Sequence, residues 1–317
     1  MSHVVVGIDL GATKIALGLI DSANQIVASR RIPTNAPEGP QAAVERIAQT
    51  IAGLQVELPV DQPIEAVGIC SPGPLDHQTG MILDPPNLTG WRNVPFRQML
   101  ADRLNLPVAL EHDAKAAALG EFHYGAGRAE QNMVYIVVGT GVGAAFIVDG
   151  KLLRGMHNSA GEVGGVTIDR HGELCSSGIR GCVQGYTCGP ALARHYERFR
   201  EEAGEPIPPD TQPTTGELVA QLAGQGDYLA QAVLKQAGEA LGITVASLAM
   251  TLDLELFVIG GSVAKSGDLL LAPARQTVPD YAFDSIASKV RIVPAELGND
   301  GPILGCGWLA RQAQVGS

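Results

Sequence analysis

Three short glycine-containing turns constrain this chain most, because each directly follows an apolar run of strand-like composition. They cover residues 9–14, 139–143 and 260–263. Glycine allows a tight reversal of the chain, and the backbone N–H groups of such turns, with a threonine hydroxyl, can surround an anion. An acidic patch at 111–113 lies between the first two turns and contains Asp113. The pattern predicts a site that binds a nucleotide and transfers its terminal phosphate.

The first turn has two interpretations. In one, Asp9 holds magnesium through water, because this ion keeps much of its hydration shell. Gly11, Thr13 and Lys14 would then contact phosphate. In the other, the turn is a plain β-hairpin in which Asp9 bonds its own backbone and Lys14 is solvated. The segment is neither a Walker A motif nor a dinucleotide fingerprint, because Gly-Lys-Ser/Thr is absent and a hairpin follows where a helix is required.

The second and third turns repeat this layout later in the chain. Gly139, Thr140 and Gly141 form a candidate phosphate contact, although glycines also serve β-bulges. Gly260 and Gly261 lie where a strand is expected to meet a helix N-terminus, which suits an anion or a ribose. Simple close packing would explain this pair as well. The three turns together, in this order, favour a nucleotide site.

The composition excludes several classes of protein. The chain has 317 residues, 45% of them hydrophobic and 17% charged, which predicts a globular protein with room for two domains. The net charge of −11 and the lack of a Lys/Arg run argue against a nucleic-acid surface. No apolar stretch is long enough to span a membrane. The odd number of cysteines, five, and the immediate start on a strand predict a cytoplasmic protein.

Hydrophobic periodicity predicts an α/β protein in which each half opens with a strand, a glycine turn and another strand. Strands are predicted at 4–9, 15–20, 26–32, 64–70, 108–111, 133–138, 144–148, 254–259 and 291–294. Helices are predicted at 41–54, 96–104, 114–124, 190–202, 228–252 and 301–312, with an irregular stretch at 156–189 and a surface loop at 201–215. The repetition predicts two domains, 1–118 joined by the C-terminal helix 301–317, and 119–300.

Five segments together resemble the ROK family, which comprises bacterial sugar kinases and related repressors. They are residues 9–14, 86–91, 111–121, 160–164 and 175–189. The resemblance covers essentially the whole chain and implies the actin-like, hexokinase-like ATPase fold, in which ATP and sugar meet in a cleft between two facing α/β domains. The larger domain would carry the adenosine site and a dimer surface, giving a homodimer or a dimer of dimers.

The resemblance leaves three functions open. The family's repressors carry an N-terminal helix-turn-helix domain, whereas this chain starts directly at the nucleotide turn, which favours a kinase over a regulator. A sugar-binding protein without kinase activity is the third possibility. The favoured acceptor is the primary hydroxyl (O6) of a hexose such as glucose, followed by an amino sugar, an N-acylated hexosamine or a cyclitol.

Asp113 is the candidate catalytic residue. From its place between a predicted strand and an alanine-rich helix, it could be only an N-cap. Phosphoryl transfer to a hydroxyl needs a carboxylate within hydrogen-bond reach of the attacking O–H group. The resemblance implies that Asp113 is this general base, with ATP and magnesium as cofactors.

The family's sugar contacts also fall on identifiable residues. They are Gly73, Asn87, His112, Asp113, Glu162, Gly165 and Gln184. The family usually has Asn at position 112, His at 165 and Glu at 184, so three sugar contacts are changed here. The changes predict that the substrate is not simply glucose bound in the usual way, or that specificity is broad. Alternatively, His157 or His171 compensates.

The cysteine pattern departs from the family too. The family's structural zinc is held by one His and three Cys, at positions occupied here by Gly165, Cys175, Ser177 and Cys182. With two of four ligands missing, a closed zinc site is not expected. A shifted site remains open, built from His171, Cys175, Cys182 and Cys188.

Overall fold

The computed structural model describes residues 3–59, 62–205 and 213–315, and the chain forms two compact units. The first unit takes the chain up to Ala129, the short segment Arg154–Ser159 and the chain from Asn299 onward. The second takes Glu130–Leu153 and Ala160–Gly298. Each unit contains one five-stranded sheet.

The regular elements are numbered in chain order. The strands are β1 (Val4–Leu10), β2 (Lys14–Ile20), β3 (Ile26–Pro33), β4 (Ile64–Ser71), β5 (Leu75–Asp76), β6 (Met81–Ile82), β7 (Val108–His112), β8 (Met133–Val138), β9 (Val142–Val148), β10 (Lys151–Leu153), β11 (Leu256–Gly260) and β12 (Arg291–Pro294). The helices are α1 (Pro40–Gln55), α2 (Phe96–Leu104), α3 (Asp113–Tyr124), α4 (Gln184–Thr187), α5 (Gly189–Glu202), α6 (Gly216–Gly224), α7 (Tyr228–Leu252), α8 (Asp268–Tyr281), α9 (Asp284–Ala287) and α10 (Gly301–Val315).

The first sheet has the order β3-β2-β1-β4-β7. Strands β1, β2 and β3 pair antiparallel, while β1, β4 and β7 run parallel. Parallel strands end at the same edge, so the residues that follow β1, β4 and β7 emerge together. In this register Asp9 of β1 pairs with Cys70 of β4.

The two faces of this sheet differ in composition. Branched apolar residues such as Val6 and Ile8 share one core with α1 and α2. The opposite face carries glycines, which let α10 approach closely. A Cβ on Gly7 would lie 2.0 Å from the carbonyl oxygen of Ile303, and one on Gly68 would lie 1.8 Å from that of Cys306. The last helix is therefore seated directly on the backbone of β1 and β4.

The second sheet has the order β10-β9-β8-β11-β12 and repeats the layout of the first. Strands β8, β9 and β10 pair antiparallel, and β8, β11 and β12 run parallel. Helices α5 to α8 contribute to its core. Gly238 and Gly242 let α7 pack closely on α8, since Cβ atoms there would lie 2.4 Å and 2.5 Å from carbonyl oxygens of that helix. The repeated layout confirms the predicted α/β class.

Some sequence predictions were wrong in detail. Helix α8 was not predicted, because it contains Pro273 and Pro279, which normally end a helix. Helix α6 and the short strands β5, β6 and β10 were also missed. The predicted loop 201–215 overlaps the end of α5, and its residues 206–212 lie outside the described part of the chain. Within the described ranges, none of the helices combines the length and apolarity needed to cross a bilayer.

Candidate active site

The first glycine turn joins β1 to β2 and is held from both sides. The Gly11 N–H group donates to the carbonyl of Lys14 at 3.0 Å. Thr34, which is fully buried after β3, donates its N–H to the Thr13 carbonyl at 3.0 Å and its hydroxyl to the Gly11 carbonyl at 2.7 Å. The turn is therefore fixed while the side chains of Thr13 and Lys14 are exposed. Thr34 was not predicted, because no local pattern marks it.

Asp9 lies near the C-terminal end of β1, the central strand of the first sheet, just before this turn. Its Oδ1 accepts a hydrogen bond from the Cys70 thiol at 3.6 Å. Burial raises the pKa of Asp9, and the negative charge of Asp113 raises it further. The structure thus brings the two predicted carboxylates close enough to interact. Neighbouring carboxylates repel each other when both are ionised, which is why the charge of Asp113 raises the pKa of Asp9.

Asp113 is the first residue of α3, and His112 occupies the N-cap position. Asp113 Oδ1 accepts the N–H of Ala114 at 2.6 Å and lies 2.9 Å from His112 Nδ1. The imidazole also packs against Gly73, where a Cβ would lie 2.7 Å from His112 Cδ2. Three of the predicted site residues, Gly73, His112 and Asp113, are therefore in one cluster. The alternative that Asp113 is itself the N-cap is wrong.

Asn87 lies on an exposed turn that two buried residues hold in place. Leu88 and Trp91 are buried, and Trp91 donates its indole N–H to the Ala36 carbonyl at 3.1 Å. Trp91 also stacks on Phe96, with ring centroids 5.2 Å apart. The Asn87 amide therefore projects from a rigid support, although no described contact joins it to Asp113.

A buried polar group lies beside Asp113 and was missed by sequence reasoning. Glu111 accepts hydrogen bonds from Arg154 Nε at 2.8 Å and Asn158 Nδ2 at 3.3 Å. Lys115 donates to the carbonyl and to the side-chain Oδ1 of Asn158, the latter at 2.9 Å. These partners are about forty residues apart in sequence, so no local motif reveals them.

In the second unit, the second and third glycine turns lie side by side. The Gly139 carbonyl accepts the N–H of Gly189 at 2.8 Å, and the Gly139 N–H donates to Gly141. Gly261 has φ +96°, and a Cβ on it would lie 2.2 Å from the Val138 carbonyl oxygen. Only glycine fits this left-handed, crowded position. The structure thus unites two turns that the sequence separates by more than a hundred residues.

These turns form one wall of a cavity of about 270 Å³. The other wall comes from the first turns of α5 and α6, with Pro190 and Glu217 among the lining residues. The two helices start almost in contact, because a Cβ on Gly216 would lie 2.5 Å from the Cα of Gly189. The positive ends of two helix dipoles thus face the cavity, and its size suits part of a small ligand.

Gln184 stands next to the second turn. Its Oε1 accepts the N–H of Val142 at 3.1 Å, and its Nε2 donates to the hydroxyls of Ser176 and Ser177, each at 3.3 Å. The carboxamide thus links the cysteine-containing loop to the second glycine turn. The amide uses both of its functions here, the oxygen as an acceptor and the nitrogen as a donor.

The other two predicted sugar contacts of this unit flank a short 3₁₀ turn, Val163–Gly165. Glu162 directly precedes that turn and is exposed. A Cβ on Gly165 would lie 3.2 Å from Ile179 Cδ1, so the side chain of Ile179 lies beside the position from which a side chain at residue 165 would start.

Comparison with known proteins places this geometry in a family. The ROK family model matches residues 5–313. The chain belongs to the ROK family. A glucokinase of Halalkalibacterium halodurans is 34% identical over 315 residues, which are 98% of this chain and 95% of that protein.

Two solved ROK structures resemble this ROK chain over nearly its whole length. One is a ROK family glucokinase from Streptomyces griseus in complex with glucose and AMPPNP, with a TM-score of 0.81, 30% identity, and 98% and 99% of the two chains covered. The other is a ROK hexokinase from Thermus thermophilus, with a TM-score of 0.81, 31% identity, and 99% and 100% covered. The ROK protein described here therefore has the actin-like ATPase fold and is an ATP-dependent carbohydrate kinase.

The cysteine loop of this ROK protein does not assemble the alternative zinc ligands. His171 Nε2 accepts a hydrogen bond from Arg170, and the free thiol of Cys182 donates a hydrogen bond to the sulfur of Cys175. Burial raises the pKa of Cys175, but hydrogen bonds from Cys182 and from backbone N–H groups outweigh it and lower the pKa. Among the residues that the structure describes, no three His, Cys, Asp or Glu side chains are grouped to hold a metal ion.

Proposed function

We propose that this ROK kinase transfers the γ-phosphate of ATP to the primary hydroxyl, O6, of glucose or a related hexose, with Asp113 as the general base. The observation that carries the proposal is the fixed orientation of the Asp113 carboxylate. Its Oδ1 is engaged by the Ala114 N–H and by His112, while 42% of the side chain is exposed. We therefore assign Oδ2 to the sugar hydroxyl, whose proton it accepts as the hydroxyl oxygen attacks phosphorus.

The nucleotide is assigned to the cavity of the second unit and to the three turns. The base and ribose would occupy the cavity near Gly260 and Gly261, and the phosphates would meet the N–H groups near Thr140 and Thr13. Magnesium, when bound, offsets the negative charge of the phosphates, and Asp9 would hold it through water. The negative charge of Asp113 helps to raise the pKa of Asp9, and a cation between the phosphates and Asp9 would offset that charge, which supports the assignment.

We assign the sugar to the residues predicted from the family pattern: Gly73, Asn87, His112, Asp113, Glu162, Gly165 and Gln184. In the structure, the carboxamide of Gln184 is already bonded to the second turn and to two serines, and the side chain of Ile179 lies beside Gly165. These changes support an acceptor range that differs from glucose alone. An ADP-release assay over hexoses, amino sugars, N-acylated hexosamines and cyclitols tests this, and a preference for glucose far above every other sugar would refute it.

The Asp113→Asn variant tests the catalytic assignment. Because general-base catalysis contributes about 10²- to 10⁴-fold, we expect kcat to fall at least about a hundredfold. Asparagine keeps the size and the acceptor oxygen, so calorimetry should show sugar and nucleotide binding within a few-fold of the wild type. The measurement is ADP release with magnesium-ATP and the best sugar of the panel.

Asp102→Asn is the matched control, because Asp102 is an exposed carboxylate of α2 that contacts Gln98. It should leave kcat unchanged. Full turnover in the Asp113→Asn variant would overturn the assignment of the base. Tight sugar binding without turnover in the wild type, across the panel, would instead favour a protein that binds sugar without phosphorylating it.

A further inference from the structure

Lys115 stands where a lysine is unfavourable. It is the third residue of α3, in the first turn, where the helix dipole disfavours a cation. Only 2% of the residue is exposed, and burying an ammonium group is costly unless it is well paired. The proposed catalytic mechanism does not use it. A buried cation two positions from the catalytic aspartate therefore requires another explanation.

Lys115 makes two hydrogen bonds to one short segment. Its Nζ donates to the Asn158 carbonyl and to Asn158 Oδ1, the latter at 2.9 Å. Asn158 has φ +58°, a left-handed conformation that asparagine adopts more readily than most residues. The ammonium thus fixes both the backbone and the side chain of one residue in an otherwise irregular stretch.

Glu111 holds the same segment from the other side. The carboxylate is 1% exposed; Oε2 accepts from Arg154 Nε at 2.8 Å and Oε1 accepts from Asn158 Nδ2 at 3.3 Å. Oε1 also accepts the backbone N–H of His112 at 2.9 Å. We call Glu111, Lys115, Arg154 and Asn158 the clamp. It ties both ends of the segment to the strand and helix that carry the catalytic aspartate.

Between the clamped ends lies His157, whose side chain is exposed. An imidazole both donates and accepts hydrogen bonds, which matches the two-way hydrogen bonding of a sugar hydroxyl. Consecutive Cα atoms are about 3.8 Å apart, so the clamp on Asn158 limits where His157 can lie. The segment belongs to the same unit as Asp113.

We infer that the clamp holds His157 as a sugar-contacting residue beside Asp113, with Lys115 as its positioning residue and a sugar hydroxyl as its ligand. The inference rests on the proposed sugar-kinase function of this site. The family usually has a histidine at position 165, which is glycine in this chain. In this inference, His157 supplies the imidazole that contacts the sugar instead. The specificity of this chain would then depend on a segment that the clamp holds at Arg154 and Asn158.

Two substitutions test the segment directly. His157→Ala should raise KM for the sugar about tenfold while changing KM for ATP and kcat less than threefold, because a ground-state contact is lost. Asn158→Gly removes both side-chain contacts at a residue whose positive φ suits glycine, so the fold is retained, and it should raise KM for the sugar similarly. Asn105→Gly is the control for the second variant, since Asn105 also has positive φ, 53°, at the end of α2.

Lys115→Met tests the positioning role. We expect a rise in KM for the sugar that is partly restored in Lys115→Arg, which can still donate to the Asn158 carbonyl. The double variant with His157→Ala should be no worse than His157→Ala alone, because both act through one contact. If the Lys115→Met variant does not fold, the double variant Asn158→Gly/His157→Ala replaces it. Its KM for the sugar is then compared with that of His157→Ala alone.

His3→Ala is the second control, since this exposed histidine contacts Glu65 and precedes β1, at the end of that strand opposite the first glycine turn. Unchanged sugar KM in His157→Ala and in Asn158→Gly would overturn the inference, as would additive effects in the double variant. If Asp113→Asn loses activity while His157→Ala and Asn158→Gly keep the wild-type KM for the sugar, the inference about His157 fails but the proposed function stands. An active Asp113→Asn variant would reject the proposed base alone.

Discussion

Individual glycines set the distance between the first sheet and the last helix. Gly68 is the clearest case, because the Cys306 carbonyl occupies the space that a side chain at residue 68 would need. Its neighbour in the strand, Cys70, carries the thiol that donates to Asp9. A shift of the strand at Gly68 would therefore displace Cys70, two residues later. Cys70 in turn contacts Asp9, the carboxylate proposed to hold magnesium.

Gly68→Ala should be strongly destabilising. The added methyl would lie 1.8 Å from a backbone oxygen that no side-chain rotation can move, so α10 must shift. Overpacking of this kind costs about 1–3 kcal/mol in the free energy of unfolding, which thermal or denaturant unfolding measures.

The matched control is Gly53→Ala in α1, where a Cβ would meet nothing within 4 Å. Removing a helical glycine should stabilise the protein by about 0.5–1 kcal/mol. Equal effects of the two substitutions would contradict the close-packing argument.

At the scale of elements, α3 and α10 form the support behind Asp113. Gly120 and Gly305 bring the helices into backbone contact, and His123 of α3 stacks on Trp308 of α10 with ring centroids 4.6 Å apart. Burial lowers the pKa of His123 below its usual 6.5. Below that pH the unfolded chain binds a proton that the folded chain excludes, so protonation favours unfolding.

The stability of the protein should therefore fall as the pH decreases below about 6.5. His123→Phe keeps an aromatic ring on Trp308 and removes the titrating group, so its loss of stability with falling pH should be smaller. Burial also lowers the pKa of His77 and His195, so some pH dependence should remain. Unfolding midpoints at pH 7.5 and 5.5 measure the difference, and identical pH profiles for wild type and variant would count against the role of His123.

Local patterns in the sequence predicted most elements, because the apolar residues of α7, β8 and β12 recur with clear helical or strand periodicity. The glycine turns were found for the same reason, since glycine marks unusual backbone. Contacts such as Thr34 to Gly11 and Lys115 to Asn158 were not found, because they join distant residues through ordinary side chains. The structure was needed to show that Gln184 contacts the second turn.

At the scale of the whole molecule, two sheets of the same layout occur in one chain. The second unit also exposes large apolar side chains near the C-terminal ends of α7 and α8, namely Met250, Tyr281 and Phe283. We propose this surface as the contact of a homodimer, or of a dimer of dimers, because exposed apolar groups gain stability when a second copy covers them.

Phe283→Glu should shift the protein toward monomer in light scattering coupled to size-exclusion chromatography, because a carboxylate would replace a side chain that is 74% exposed in the single chain. Val56→Glu is the control, at an apolar residue of the first unit that is 85% exposed. A monomeric wild type, or an unchanged dimer in Phe283→Glu, would reject this surface.

The position of α10 after all the other elements in chain order has a consequence for synthesis. A ribosome synthesises β1, β4 and α3 early, yet the helix that covers them begins only at Gly301. Nascent chains fold from the N-terminus as they emerge, so this glycine-lined face stays open to water and to other chains until α10 itself has been synthesised. A premature stop codon between β7 and that helix would leave the first sheet complete but uncovered, a form suited to capture by chaperones and proteases.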